Sequence, residues 1–197
     1  MLRQVAPLTQ MMSDDALLAR YAAGDAAAAS ELARRHGGRL IALAWRMLND
    51  RAEAEDVAQE AMLRLWRIAP DWESGRAQVS TWLYRVVSNL CADRLRKRRY
   101  ARVGLDGIAD PADPAPSADQ RMQDATRDRA LQEALAELPD RQRQAVILRH
   151  LEGCTNPEIA AVMEISVEAV ESLTARGKRA LAQALAGRRA ELGFDHE

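Results

Sequence analysis

Residues 102–120, RVGLDGIADPADPAPSADQ, limit the fold more than any other stretch. Pro111, Pro114 and Pro116, with Gly104 and Gly107, interrupt a chain that elsewhere repeats with the period of a helix. Proline removes a backbone donor and clashes with the preceding turn, so no helix continues through prolines at this density. The stretch also carries few apolar side chains and forms no core of its own. It reads as a flexible linker over residues 101–124, between a helical lobe at 13–100 and a second at 125–187. Residues 1–12 read as a loose tail, with Met11 and Met12 as alternative starts, and 188–197 as a C-terminal tail. A flexible linker of about 24 residues spans roughly 27 Å on average and about 80 Å at most. The two lobes can therefore act on sites several nanometres apart.

Both lobes read as helical throughout. Aromatic residues make up 4% of the 197, and alanine is abundant. Such a composition favours helices over strands, so the fold class is all-α, two small helical domains. The helices fall near 13–23, 25–48, 52–69 and 79–99 in the first lobe, and near 125–137, 139–152, 155–163 and 166–187 in the second. Ser13 stands before two aspartates, and Thr155 and Glu158 have capping-box spacing. Pro139 and Pro157 suit first-turn positions, and Gly153 and Gly187 suit helix ends.

Charge is sorted along the chain. The totals nearly cancel, 28 Lys and Arg against 29 Asp and Glu. Yet residues 85–102 hold seven basic residues and one acid, a net of +6, and residues 103–128 hold two arginines and six aspartates, a net of −4. A helix end accommodates two or three cations through its dipole; seven exceed that need.

Several function classes drop out. No apolar run approaches the roughly 18 residues of a membrane span, and the start lacks the pattern of a secretion signal. Two distant cysteines, Cys91 and Cys154, suit the cytoplasm better than a disulfide framework. His150 and Cys154 have metal-ligand spacing, but structural zinc takes about four ligands, so no metal or other cofactor is expected. His36, His150 and His196 are scattered, with no phosphate loop or nucleophile–base pair, so no enzymatic activity is expected.

Three helices are informative face by face. In residues 52–68, Val57, Ala61, Leu65 and Ile68 form a core stripe. A second apolar strip of Met62, Leu63 and Trp66 lies among Asp56, Gln59 and Glu60. It reads either as a partner-binding surface or as a helix buried on two sides. In residues 80–99, Trp82, Leu83, Val86, Val87 and Leu90 make the core face. The opposite side collects Arg85, Ser88, Asn89, Ala92, Arg96 and Arg99, long cations and an amide suited to a nucleic-acid backbone. The polar loop between these helices holds Trp72, which either covers an unstacked base or tucks back onto the core. In residues 164–181, Glu168, Glu171, Ser172, Ala175 and Arg179 point outward, flanked by Arg176 and Lys178. The preceding TNPEIAAVM and a short turn complete helix-turn-helix spacing.

These residues together resemble the extracytoplasmic-function (ECF) sigma factors of bacterial RNA polymerase. AEDVAQEAMLRLW and STWLYRVVSNLCADRLRKRR are similar to the family's region 2, and LAELPDRQRQAVILRHLEGCTNPEIAAVMEISVEAVESLTARGKRAL to its region 4. The resemblance implies that Asp56, Gln59, Glu60, Met62 and Leu63 bind the clamp helices of the polymerase's largest subunit. It implies that Trp72, Arg76, Arg85, Asn89, Arg96, Arg98 and Arg99 face the promoter −10 element, where a base is flipped out. Thr155, Asn156, Glu168, Glu171, Ser172, Ala175, Arg176 and Arg179 would face the −35 element, and the second lobe would also meet the polymerase flap. The expected partners are core RNA polymerase, promoter DNA and an anti-sigma factor.

The match departs from the family at two places. The family's turn often has glycine where Glu164 stands; a positive φ there would cost glutamate about 1–2 kcal/mol. Its reading helix often has a cation where Glu171 stands. The competing functions are a stand-alone helix-turn-helix regulator and an adaptor that mimics a sigma factor. The first needs no second apolar strip on 52–68, and the second needs no +6 block.

Overall fold

The computed structural model describes residues 12–104 and 119–186, with side chains at 12–101 and 127–186. The regular elements among them are all helical: α1 (Asp14–Ala22), α2 (Ala26–Leu48), α3 (Arg51–Ile68), α4 (Val79–Gly104), α5 (Asp119–Glu137), α6 (Asp140–Val146), α7 (Asn156–Met163) and α8 (Val167–Ala186). A 3-10 turn follows α3 at Ala69–Asp71, and a π turn follows α6 at Ile147–Leu151. The two expected tails fall almost wholly outside the described residues.

Local chemistry sets the helix ends. Ser13 Oγ accepts from Ala16 N, Asp25 from Ala27 N, and Asp50 from Glu53 N, each supplying a partner for an orphan N–H of the first turn. Thr155 and Glu158 form the expected capping box. Pro139 stands one position earlier than expected, as the cap of α6, with φ −53°. Helix α4 runs to Gly104 and α5 begins at Asp119, so both enter the stretch read as linker; residues 105–118 lie outside the description.

In the first lobe α2 is central, packed on α1, α3 and α4. Leu17, Leu32, Leu40, Leu43, Leu65 and Leu83 are fully buried in its core. Helix α1 is tied down by Asp14, whose carboxylate contacts His36 Nε2 at 2.7 Å and accepts from Arg35 at 2.8 Å. The hydrogen bond with His36 is the main reason the Asp14 pKa falls below its ordinary value. In the second lobe α6 and α8 pack so closely that a Cβ on Gly177 would lie 2.6 Å from Val146 Cγ2.

The two lobes share one continuous apolar core. Their junction is built on Arg143 of α6, which is 8% exposed. Its guanidinium donates to the carbonyls of Leu135, Ala136 and Leu138 at the end of α5, and to Met47 O in the last turn of α2, at 2.7–3.0 Å. These carbonyls are orphaned at helix ends, where the dipole also favours a cation. Gln132 of α5 donates to Trp45 O of α2. Tyr84 of α4 donates to Glu152 between the π turn and α7, and burial raises the Glu152 pKa above its ordinary value.

Replacing Arg143 by Ala leaves several buried carbonyls unpaired and is expected to cost about 3 kcal/mol in urea unfolding. Lysine, lacking the planar fork, is expected to recover less than half; a loss below about 1 kcal/mol for the alanine variant would contradict this role. Hydrogen bonds from Arg34 and then Arg35 lower the Glu31 pKa to about 2. Its folded pKa is depressed, so its contribution is present above pH 4.5 and lost as pH falls toward about 2. Glu31→Gln is expected to flatten the fall in urea midpoint across that window.

Candidate nucleic-acid and protein interfaces

Helix α3 presents its outer strip as Asp56, Gln59 and Leu63, all exposed, with Glu60 half-buried beside them. Leu63 is 42% exposed, unusual for a large apolar side chain among the described residues. Glu60 accepts from Arg64 at 2.8 Å, and that bond is the first cause of its lowered pKa. Met62 departs from the expected strip. It is 9% exposed and belongs to the core, because the α3 face next to Leu65 and Ala58 turns inward. Trp66 is partly buried, its ring centroid 4.7 Å from that of Tyr21.

Helix α4 places Arg85, Asn89, Arg96 and Arg99 on one exposed face, opposite buried Leu83, Val87 and Cys91. Burial pushes the Cys91 thiol up to about 12, as for an inert core cysteine. Two residues expected beside that row lie elsewhere. Arg98 turns inward and donates to Leu48 O and Asp50, with Glu53 at 3.0 Å, closing the α2–α3 corner. Its one-residue offset from Arg99 is about 100° of helix, enough to change faces. Ser88 is 2% exposed, and its hydroxyl has no protein partner.

The loop after α3 lies beside this row. Trp72 is half-buried, edge-on to Trp82 with centroids 6.1 Å apart, and its indole N–H donates to Asp15. Arg76 is exposed and pairs with Glu73 at 2.9 Å. Trp72, Arg76, Trp82 and Arg85 line a cleft of about 500 Å³. The Trp72 ring packs against the core, and it also walls the cleft.

The outer face of α8 is exposed at Glu168, Glu171, Ser172, Ala175, Arg176 and Arg179. Thr155 is exposed and Asn156 half-buried at the start of α7. Glu171 accepts from Asn156 Nδ2 at 3.4 Å, across the helix-turn-helix. Glu168 accepts hydrogen bonds from its own N–H and from Ser166, which lower its pKa. Glu164 ends α7 with φ 52° and ψ 51°, the left-handed conformation in which glycine is unstrained.

The second lobe sits on the cationic face of the first. Asp140 accepts from Arg99, and Glu164 lies 3.6 Å from Arg85. Asn89, Arg96 and Arg99 line one wall of a cleft of about 660 Å³; Arg141, Val162 and Met163 line the other. Among the described residues no three His, Cys, Asp or Glu side chains gather as a metal site would need. No described helix is long and apolar enough to cross a membrane.

The Sigma-70 region 2 family model matches residues 32–100, and the Sigma-70 region 4 model residues 128–181. The ECF RNA polymerase sigma factor SigM of Mycobacterium tuberculosis is 36% identical over 173 residues, covering 88% of this chain and 85% of that protein. The chain belongs to the ECF RNA polymerase sigma factors. SigE of Mycolicibacterium smegmatis, another ECF sigma factor, is 33% identical over 84% of this chain, which spans 65% of SigE's length. Among solved structures, CnrH in complex with the cytosolic domain of CnrY superposes with a TM-score of 0.66 at 28% identity, covering 88% of this chain and 97% of that one. As a sigma factor, the chain binds core polymerase and directs promoter-specific initiation.

Glu164→Gly relieves the left-handed strain and gives up only an exposed ion pair, so it is expected to stabilise the protein by about 1 kcal/mol in urea unfolding. A destabilised variant would show that the turn depends on the Arg85 contact.

Proposed function

We propose that the sigma-factor task is divided between three faces. The lobe at 13–100 docks on core polymerase through Asp56, Gln59, Glu60 and Leu63 of α3, and on the −10 element through Arg85, Asn89, Arg96, Arg99 and the Trp72–Arg76 loop. The lobe at 125–187 addresses the −35 element with the outer face of α8 and the start of α7. This chain supplies binding and sequence readout, and the polymerase supplies the chemistry. An anti-sigma factor covers the polymerase-binding surface until a signal releases it; CnrH, similar to this chain in fold, is itself found in complex with another protein's cytosolic domain, that of CnrY.

The observation that carries the proposal is the exposed row of α4. Three cations and an amide stand along one side of a helix whose other side is the lobe's core. Phosphate neutralisation by such a row gives affinity, and the neighbouring cleft gives a place for an unstacked base. Asp140 and Glu164 occupy two of those cations in the closed arrangement. Promoter binding through the full row therefore requires the lobes to separate.

Reconstitution with core polymerase tests the assignment. Gln59→Ala combined with Glu60→Ala is expected to weaken core affinity about tenfold or more with the melting temperature preserved; unchanged affinity would remove the α3 strip from the interface. Charge reversal at Arg96 and Arg99 is expected to impair promoter opening far more than core binding. Arg76, the three α4 cations and Arg176 and Arg179 of α8 together neutralise about six phosphates, which predicts a slope near −5 for log K against log salt, and a slope near zero would contradict both DNA-facing surfaces.

A further inference from the structure

Asp15 stands in the first turn of α1, and both of its carboxylate oxygens are engaged far away in sequence. Oδ1 accepts from the indole N–H of Trp72 at 3.0 Å, and Oδ2 accepts from the backbone N–H of Gly75 at 3.2 Å. One side chain thus grips the loop between α3 and α4 at two points, 57 and 60 residues along the chain. The first bond fixes the tryptophan ring, which is already edge-on to Trp82. The second fixes the backbone at Gly75, where φ is +83°, a conformation that side-chain-bearing residues rarely adopt.

The grip has a rigid base. Ser13 caps the helix beneath Asp15, and Leu17 and Leu18 are fully buried. The neighbouring Asp14 is held by His36 and Arg35 of α2. The loop's remaining hydrogen bonds among the described residues are local: Trp72 N to Ala69 O, Arg76 N to Glu73 O, Trp82 N to Gln78 O, and the Arg76–Glu73 pair. Its tie to the rest of the lobe is therefore apolar contact plus Asp15. Apolar contact is non-directional, whereas a two-point carboxylate clamp sets ring orientation and backbone path together.

We propose that Asp15 is a positioning residue for −10 recognition: it holds the Trp72–Gly75 loop in the shape that forms one wall of the cleft beside Arg76 and Arg85. The inference rests on the reading that this loop faces the −10 strand. Pre-formed loop geometry lowers the entropy lost when a base is captured, so loosening the loop weakens capture without touching the polymerase surface.

The test uses holoenzyme made from core polymerase and the full chain. The probe is a fluorescent single-stranded DNA that wild-type holoenzyme selects from a randomised pool. Asp15→Ala is expected to weaken probe binding about five- to tenfold, with core affinity within about twofold of wild type. Asp15→Asn, which keeps one acceptor oxygen, is expected to fall between the two. It also serves as the test variant if the alanine form does not fold, core binding being the control for folding. Trp72→Phe, which deletes the same bond from the other side, is expected to cost less in the Asp15→Ala background than alone. Probe binding by Asp15→Ala equal to wild type, while Trp72→Ala or Arg76→Ala weakens it, overturns the brace and leaves the loop reading standing. Wild-type binding by all three variants overturns the loop reading, and the brace with it.

Discussion

The architecture depends on one buried cation. Arg143 carries its charge into a site made of carbonyl oxygens, with its nearest carboxylate, Asp140, 3.8 Å away. A buried charge is costly unless its hydrogen bonds are made, and here four carbonyls accept from it. Desolvation pulls its pKa down from the ordinary arginine value, yet arginine stays charged throughout the physiological range. Because three acceptors close α5 and the fourth closes α2, one side chain caps a helix in each lobe. The position of α6, and through Gly177 that of α8, follows from it.

That arrangement explains where sequence reasoning succeeded. Helix ends depend on local capping and proline, which can be read within a few residues; Ser13 and the Thr155–Glu158 box fell where expected. Faces follow from a period of about 3.6 residues, and the outward row of α8 and the cationic row of α4 were both readable that way. Glu164 stands where the family's turn often has glycine, and its φ of 52° is the left-handed conformation that glycine adopts without strain.

The misses share a cause: each is a contact between distant segments. Met62 reads as part of an exposed strip until α3 is docked on α2 and the strip narrows to Leu63. Arg98 reads as one more cation in a basic run, yet its partners are Leu48, Asp50 and Glu53. Arg143 lies in PDRQRQ, which carries no local mark of burial. Asp15 is legible as an acid in a first helical turn, whereas its grip on the Trp72 loop exists only once α1 lies against the 3-10 turn.

Acids of the second lobe lie against cations that the first would offer to DNA, so holding together and reading a promoter compete for the same side chains. Separation would have to release Arg143 from Met47 O, Gln132 from Trp45 O and Tyr84 from Glu152, and open the apolar core the lobes share, leaving them to the reach of their connecting segment. Spin labels at Ser30 of α2 and Gln183 of α8, both exposed, report that separation by pulsed dipolar spectroscopy. One narrow distance distribution is predicted in the free chain, with an increase on the order of tens of ångströms in holoenzyme bound to promoter. The same distribution in both states would contradict the closed arrangement as the state that must open.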